Sequence, residues 1–108
     1  TGGYSPFTTA TTDYNTTSVT LDIVDGTHPI MSGVTTLLQG MLVIDVGLQT
    51  GATLLGRWTE PGSWNAIAVN SANTVVGISG LLVYETDSVW SGDLDQLLYN
   101  SVTWLCDN

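Results

Sequence analysis

His28 is the only imidazole in the 108-residue chain, so any histidine-paired nucleophile would have to use it. Thr27 and Ser32 are hydroxyls close to it in sequence and Asp25 is a nearby carboxylate, the residue types of a hydroxyl, imidazole and carboxylate relay. Neither hydroxyl lies on a sharp strand-to-helix elbow. The expectation is therefore a turn histidine, hydrogen-bonded by Asp25 or by backbone, and no catalytic residue. Thr1 could act as an N-terminal nucleophile with its own amine as base. However, Gly2, Gly3, Tyr4, Ser5 and Pro6 supply no strand to hold it, and a processing boundary explains it better.

Oxygen ligands come next. Glu85, Asp87, Asp93 and Asp95 crowd one stretch and could offer carboxylates to calcium, which accepts several oxygens at flexible geometry. Their spacing is not that of an EF-hand, and acids at a helix start also answer the helix dipole. Calcium is the one cofactor candidate. Trp58, Trp64 and Trp90 fall at expected loop edges, where an indole face can stack on a sugar or anchor a partner, and core or edge packing is the competing role. Trp104 falls on a helical pattern and reads as core. Asn15-Thr16-Thr17 is a glycosylation sequon, meaningful only on an exported chain. Cys106, the single cysteine, fits either a small hydrophobe buried on the last helix or an intermolecular disulfide.

Charge narrows the partners. Arg57 is the only Lys or Arg against ten Asp and Glu, a formal charge of −9. Such a surface repels phosphate backbones and anionic lipid heads, so nucleic acid is not an expected partner. Arg57 itself reads as a structural cation, paired with Glu60 or stacked on an indole. Only 10% of residues are charged, so the polar surface must be built from Thr, Ser, Asn, Gln and Gly, which suits a secreted or cell-surface protein. A halophilic source also gives acid excess, but usually with denser carboxylates. No window approaches the roughly 20 apolar residues of a spanning helix, so membrane insertion is not expected.

The elements that must position these groups follow from periodicity. Residues 1–17 read as an extended arm or loop and 18–108 as one domain, part of a larger protein. Alternation places Val19, Leu21 and Ile23 on one strand face, and Asp25-Gly26 ends that strand as a turn. Pro29 disfavours helix at His28, and a short helical turn is expected near 30–32. Residues 41–46 and 53–55 are apolar runs separated by a turn over 47–51. Residues 64–70 and 74–78 form the clearest hairpin, joined at 70–73. Residues 81–84 extend the sheet or cross its edge, and 85–92 form a polar loop. From Ser91 the period changes. Leu94, Leu97, Leu98, Val102 and Leu105 mark a helix with its stripe on the sheet, capped by Ser91 or Asp93, with Gln96 at the capping-box position if Asp93 is the cap.

Segments 25–34 (DGTHPIMSGV), 51–55 (GATLL), 65–69 (NAIAV), 74–78 (TVVGI) and 95–105 (DQLLYNSVTWL) together resemble the C-terminal half of class I glutamine-amidotransferase-like domains, in the non-catalytic branch with the ThuA-like proteins. The resemblance spans roughly residues 18–105. It implies a three-layer, flavodoxin-like domain whose first half, a βαβ region, lies before Thr1. Active members carry a Gly-x-Cys-x-Gly elbow, which this chain lacks, and a histidine beside a glutamate, whereas His28 precedes Pro29. No catalytic residue is carried over.

The fold class expected is thus α/β: a β-rich mixed sheet with a meander or hairpin over about 41–78 and a packed C-terminal helix over about 92–105, resembling an incomplete three-layer flavodoxin-like domain. The function expected is a non-catalytic extracellular binding or assembly module whose partner is another protein segment or subunit, or itself. The alternatives are a C-terminal fragment of a ThuA-like or amidotransferase-like enzyme acting on a small metabolite or sugar, and a carbohydrate-binding module using the loop tryptophans.

Overall fold

Branched residues in alternation dictate strands, and a single change of period near residue 92 dictates a helix. The computed structural model describes residues 5–15, 19–39, 43–59, 64–79 and 90–107. In chain order these form β1 (Phe7–Asn15), β2 (Val19–Ile23), a 3-10 turn (Pro29–Met31), β3 (Leu37–Gln39), β4 (Val43–Leu48), β5 (Thr53–Trp58), β6 (Asn65–Val69), β7 (Val76–Ile78), β8 (Trp90–Gly92) and α1 (Leu94–Asp107). The class is α/β, with a β-rich arrangement and one C-terminal helix, compatible with an incomplete flavodoxin-like domain.

The strands form a two-stranded sheet, β1-β4, and a six-stranded sheet in the order β7-β6-β5-β2-β3-β8. Every pairing among the described residues is antiparallel. β5, β6 and β7 make the expected meander. Its hairpin register sets Ile67 against Ile78 and Val69 against Val76. Asn70 builds the turn: its Oδ1 accepts the backbone N–H groups of Thr74 and Val75 at 2.8 and 3.0 Å, while Asn73 takes the left-handed conformation at φ 59° that Asn tolerates well. β2 joins two ribbons. Val19 and Thr20 pair with β3, and Leu21, Asp22 and Ile23 pair with β5.

Three expectations are corrected. β4 leaves the meander and pairs with β1, so residues 7–15 of the N-terminal arm are a strand and the turn before β5 does not close a hairpin. The small sheet lies against β6, where the Asn65 side chain donates to the Val46 carbonyl at 2.8 Å. Contact on both faces explains why Ala66, Ile67, Ala68 and Val69 are all buried, with small alanines on one side of the strand and larger residues on the other. Gly77 is needed nearby, because a Cβ there would stand 2.7 Å from both Pro6 and the Phe7 ring. Second, Trp90–Gly92 is a strand rather than the end of a polar loop, paired with β3. Residues 80–89, which include the 81–84 run, lie outside the described residues.

The third correction concerns the helix. The stripe assigned to the sheet is split: Leu97 is fully buried and Leu94 and Trp104 pack against the core, but Leu98 is 42% and Val102 61% exposed. The core itself gathers Ile30, Met31 and Val34 from the 3-10 turn region with Leu37, Leu55, Trp58, Ile67, Val69 and Leu97. The inward helix residues, buried Leu97 and Ser101 with partly buried Leu94 and Trp104, fall on one side of a 3.6-residue period. Ser101 is buried among them and satisfies its hydroxyl on the Leu97 carbonyl at 2.8 Å.

This asymmetry separates two leucines that adjoin in sequence. Leu97→Ala should lower unfolding free energy by about 2–5 kcal/mol in urea titration, whereas Leu98→Ala should stay within about 1 kcal/mol of wild type. Equal losses would contradict the helix orientation.

Candidate functional site

Of the residues singled out for chemistry, Asp25, His28 and Asp93 lie along segment 25–36 and its contact with α1. His28 occupies the position before the 3-10 turn with extended backbone, φ −69° and ψ 138°. Its Nδ1 accepts the Ile30 N–H at 3.2 Å, and Pro29 supplies the first position of the turn, where no N–H is needed. The imidazole rests on the Trp104 indole with centroids 5.1 Å apart and planes tilted by 60°. A nitrogen that accepts from backbone is occupied by a structural bond, as the turn-histidine reading anticipated. Asp25 serves the same segment. Its Oδ1 accepts from the Thr27 hydroxyl at 2.7 Å and from the Thr27 N–H at 3.2 Å. These bonds to Thr27, with smaller contributions from the neighbouring His28, hold the Asp25 carboxyl below the ordinary aspartate value.

Asp93 is tied more widely. Its Oδ2 accepts the N–H groups of Thr35 and Thr36 at 2.9 and 3.0 Å and the Thr35 hydroxyl at 3.1 Å. Its own N–H donates to the Thr36 carbonyl at 2.7 Å, and its carbonyl accepts from Leu97 N–H at 2.9 Å, starting the helix. The side chain therefore spans to the loop before β3 and does not close a capping box. Gln96 likewise turns away, donating to Asn100 Oδ1 at 2.8 Å. The preceding Gly92 has φ +93°, and a Cβ there would approach the Thr36 carbonyl oxygen to 2.5 Å, so this junction needs glycine. The bonds to Thr36 and Thr35 push the Asp93 carboxyl below its ordinary value.

Asn100 completes the clamp, its Nδ2 donating to the carbonyls of Ile30 at 2.9 Å and Ser32 at 2.6 Å. Asn100, Thr35 and Thr36 were not anticipated from the sequence. The available signal was a polar residue at 100, set between the inward positions 97, 101 and 104.

The other candidates fall elsewhere. Trp58 is fully buried and its indole N–H donates to the Ser79 carbonyl at 3.0 Å, so it is removed from the ligand-contact set. Trp64 is half-buried against the core, and Trp90 lies in β8. Arg57 is exposed, set opposite Asp22 of β2. Neighbouring residues on a strand point to opposite faces, so Arg57 and the buried Trp58 do not stack. Cys106 is exposed, which corrects its assignment as a buried hydrophobe and leaves the intermolecular disulfide as an expectation. Asp95 is exposed in the first turn of α1. Glu60, Glu85 and Asp87 lie outside the described residues, as do Thr1, Thr16 and Thr17; Asn15 ends β1. Among the described residues, no group of three or more His, Cys, Asp and Glu gathers as a metal site would require. No helix among them is long and apolar enough to cross a membrane.

The two depressed carboxyls imply a definite acid response. As pH falls, the unfolded chain binds protons first, at the ordinary aspartate value of 3.8, while folded Asp25 and Asp93 resist. Their stabilisation is complete above that value and is lost as pH falls through the lower folded values. Urea midpoints measured from pH 6 downward should therefore decline below about pH 4. Asp93→Asn should be less stable at neutral pH and show a shallower decline; an unchanged acid profile would contradict the role given to this carboxylate.

No protein-family model matches the chain, and no curated protein or solved structure matches it either.

Proposed function

We propose that this chain is a non-catalytic binding or assembly module of a secreted or cell-surface protein, engaging another protein segment, a subunit or a second copy of itself. The observation that carries this reading is the outward side of α1. The helix is fixed to the core on one side, yet its other side presents Leu98, Tyr99 and Val102 at 42%, 68% and 61% exposure. Apolar side chains left out of a core and grouped on one element mark contact surfaces.

The groups with chemical potential support the same reading, because they are committed to internal bonds. His28 Nδ1 receives Ile30, Asp25 holds Thr27 and Asp93 holds Thr35 and Thr36. A surface drawn from Thr, Ser and Asn, with few charges, fits an exported chain. On this reading the likeness to glutamine-amidotransferase-like domains concerns the scaffold. The enzyme-fragment alternative would need the Gly-x-Cys-x-Gly elbow of the active members, which this sequence does not contain. The carbohydrate alternative loses Trp58, whose indole lies in the core.

The test is turnover. Ester, amide and glycoside chromogenic substrates should show no hydrolysis that depends on His28. A rate abolished in His28→Ala, with the far-ultraviolet circular dichroism of the wild type retained, would contradict the non-catalytic reading.

A further inference from the structure

We propose that the outer face of α1 docks a cationic amphipathic helix of another protein; this rests on the binding-module reading and names its surface and partner class. Asp95, Leu98, Tyr99, Val102 and Cys106 lie within about 100° of one another around the helix axis, and all five are exposed. From Asp95 to the helix end at Asp107 the axis rises about 18 Å. That length accepts a partner helix anchored by apolar residues at i, i+3, i+4 and i+7.

Charge selects the partner. α1 has no basic residue, begins with Asp95 in its first turn and ends with exposed Asp107. Its last turn also carries the negative end of the helix dipole, with no Lys, Arg or His to offset it. The chain as a whole carries a formal charge of −9. An apolar stripe that starts at Asp95 and runs to the negative end of the helix dipole, with no cation on the helix, is complementary to a helix whose apolar stripe is flanked by Lys or Arg. A second copy fits the same face poorly. Antiparallel pairing would bring Asp95 toward the negative dipole end of the copy's helix, and parallel pairing would set like against like, with no cation on either helix.

Cys106 supplies a position-specific reporter, since it is exposed on this face and is the only thiol. The probe is a synthetic peptide of about four turns, with Leu at i, i+3, i+4 and i+7, Arg at both ends, and a fluorescent label. It is compared with a scrambled peptide of identical composition and with a version carrying Glu for Arg. The ordered cationic peptide should bind and slow the reaction of Cys106 with a thiol reagent. Leu98→Gln and Val102→Gln should each weaken it about tenfold. Val24→Gln, at an exposed position beyond β2, should bind like wild type. All these substitutions are at exposed sites, and circular dichroism checks that each variant folds.

No binding, equal binding of the scrambled or Glu peptide, or Leu98→Gln and Val102→Gln variants that bind like wild type would each overturn the inference. So would a dimer seen by light scattering and abolished by Val102→Gln, which would assign the face to a second copy. None of these results touches the non-catalytic reading, which falls only on His28-dependent turnover.

Discussion

The Asp93 carboxylate reaches back across more than fifty residues to accept both backbone N–H groups of the Thr35-Thr36 pair, while its own N–H donates to the Thr36 carbonyl. Seven residues later in sequence, on the second turn of the same helix, Asn100 donates to the carbonyls of Ile30 and Ser32. Together the two side chains satisfy backbone groups of an irregular segment that would otherwise need water. That segment carries Ile30, Met31, Val34 and Leu37 into the core. The polar clamp and the apolar packing are thus two sides of one contact, and the rotation of α1 about its axis follows from it.

Rotation decides what the helix offers to solvent. Leucines at 94, 97, 98 and 105 and valine at 102 are all available, and burying a large aliphatic side chain contributes about 1.5–3 kcal/mol. Turning α1 to bury Leu98 and Val102 would draw Leu97 and Trp104 out of contact, and Trp104 brings more apolar area than Val102. It would also swing Asn100 away from two carbonyls, leaving those groups to find other partners. The observed orientation keeps the larger hydrophobes and the hydrogen bonds together. Its consequence is an outer face richer in apolar side chains than a solvated helix requires. His28, packed on Trp104 and bonded to Ile30, adds a further contact to the inner side.

Much of this was legible in the sequence wherever one local signal sufficed. Alternation at Val19, Leu21 and Ile23 gave β2, Asn70 through Asn73 gave the hairpin turn, Pro29 gave the short turn, and the period change near Ser91 gave α1. Pairings set by tertiary contact were not legible. β4 pairs with β1 and lies against β6, a partnership of distant segments that no local spacing encodes. Leu98 fits the apolar period as well as Leu97 does, so the packing of Trp104 and the clamp of Asp93 and Asn100 separate them. Asp93 looked like a helix cap because Asp commonly caps; its side chain instead satisfies a distant loop. Trp58 looked like an edge residue because polar residues follow it, yet it ends β5 on the buried face.

The Asp93 and Asn100 clamp orients α1 on segment 29–37. Native-state hydrogen exchange of an Asp93→Ala, Asn100→Ala double variant, resolved by peptide, tests it most directly. The predicted result is joint loss of protection in α1 and in residues 29–37, with the β5, β6 and β7 meander still protected. Wild-type protection of α1 in that variant would show that the helix is oriented without the clamp.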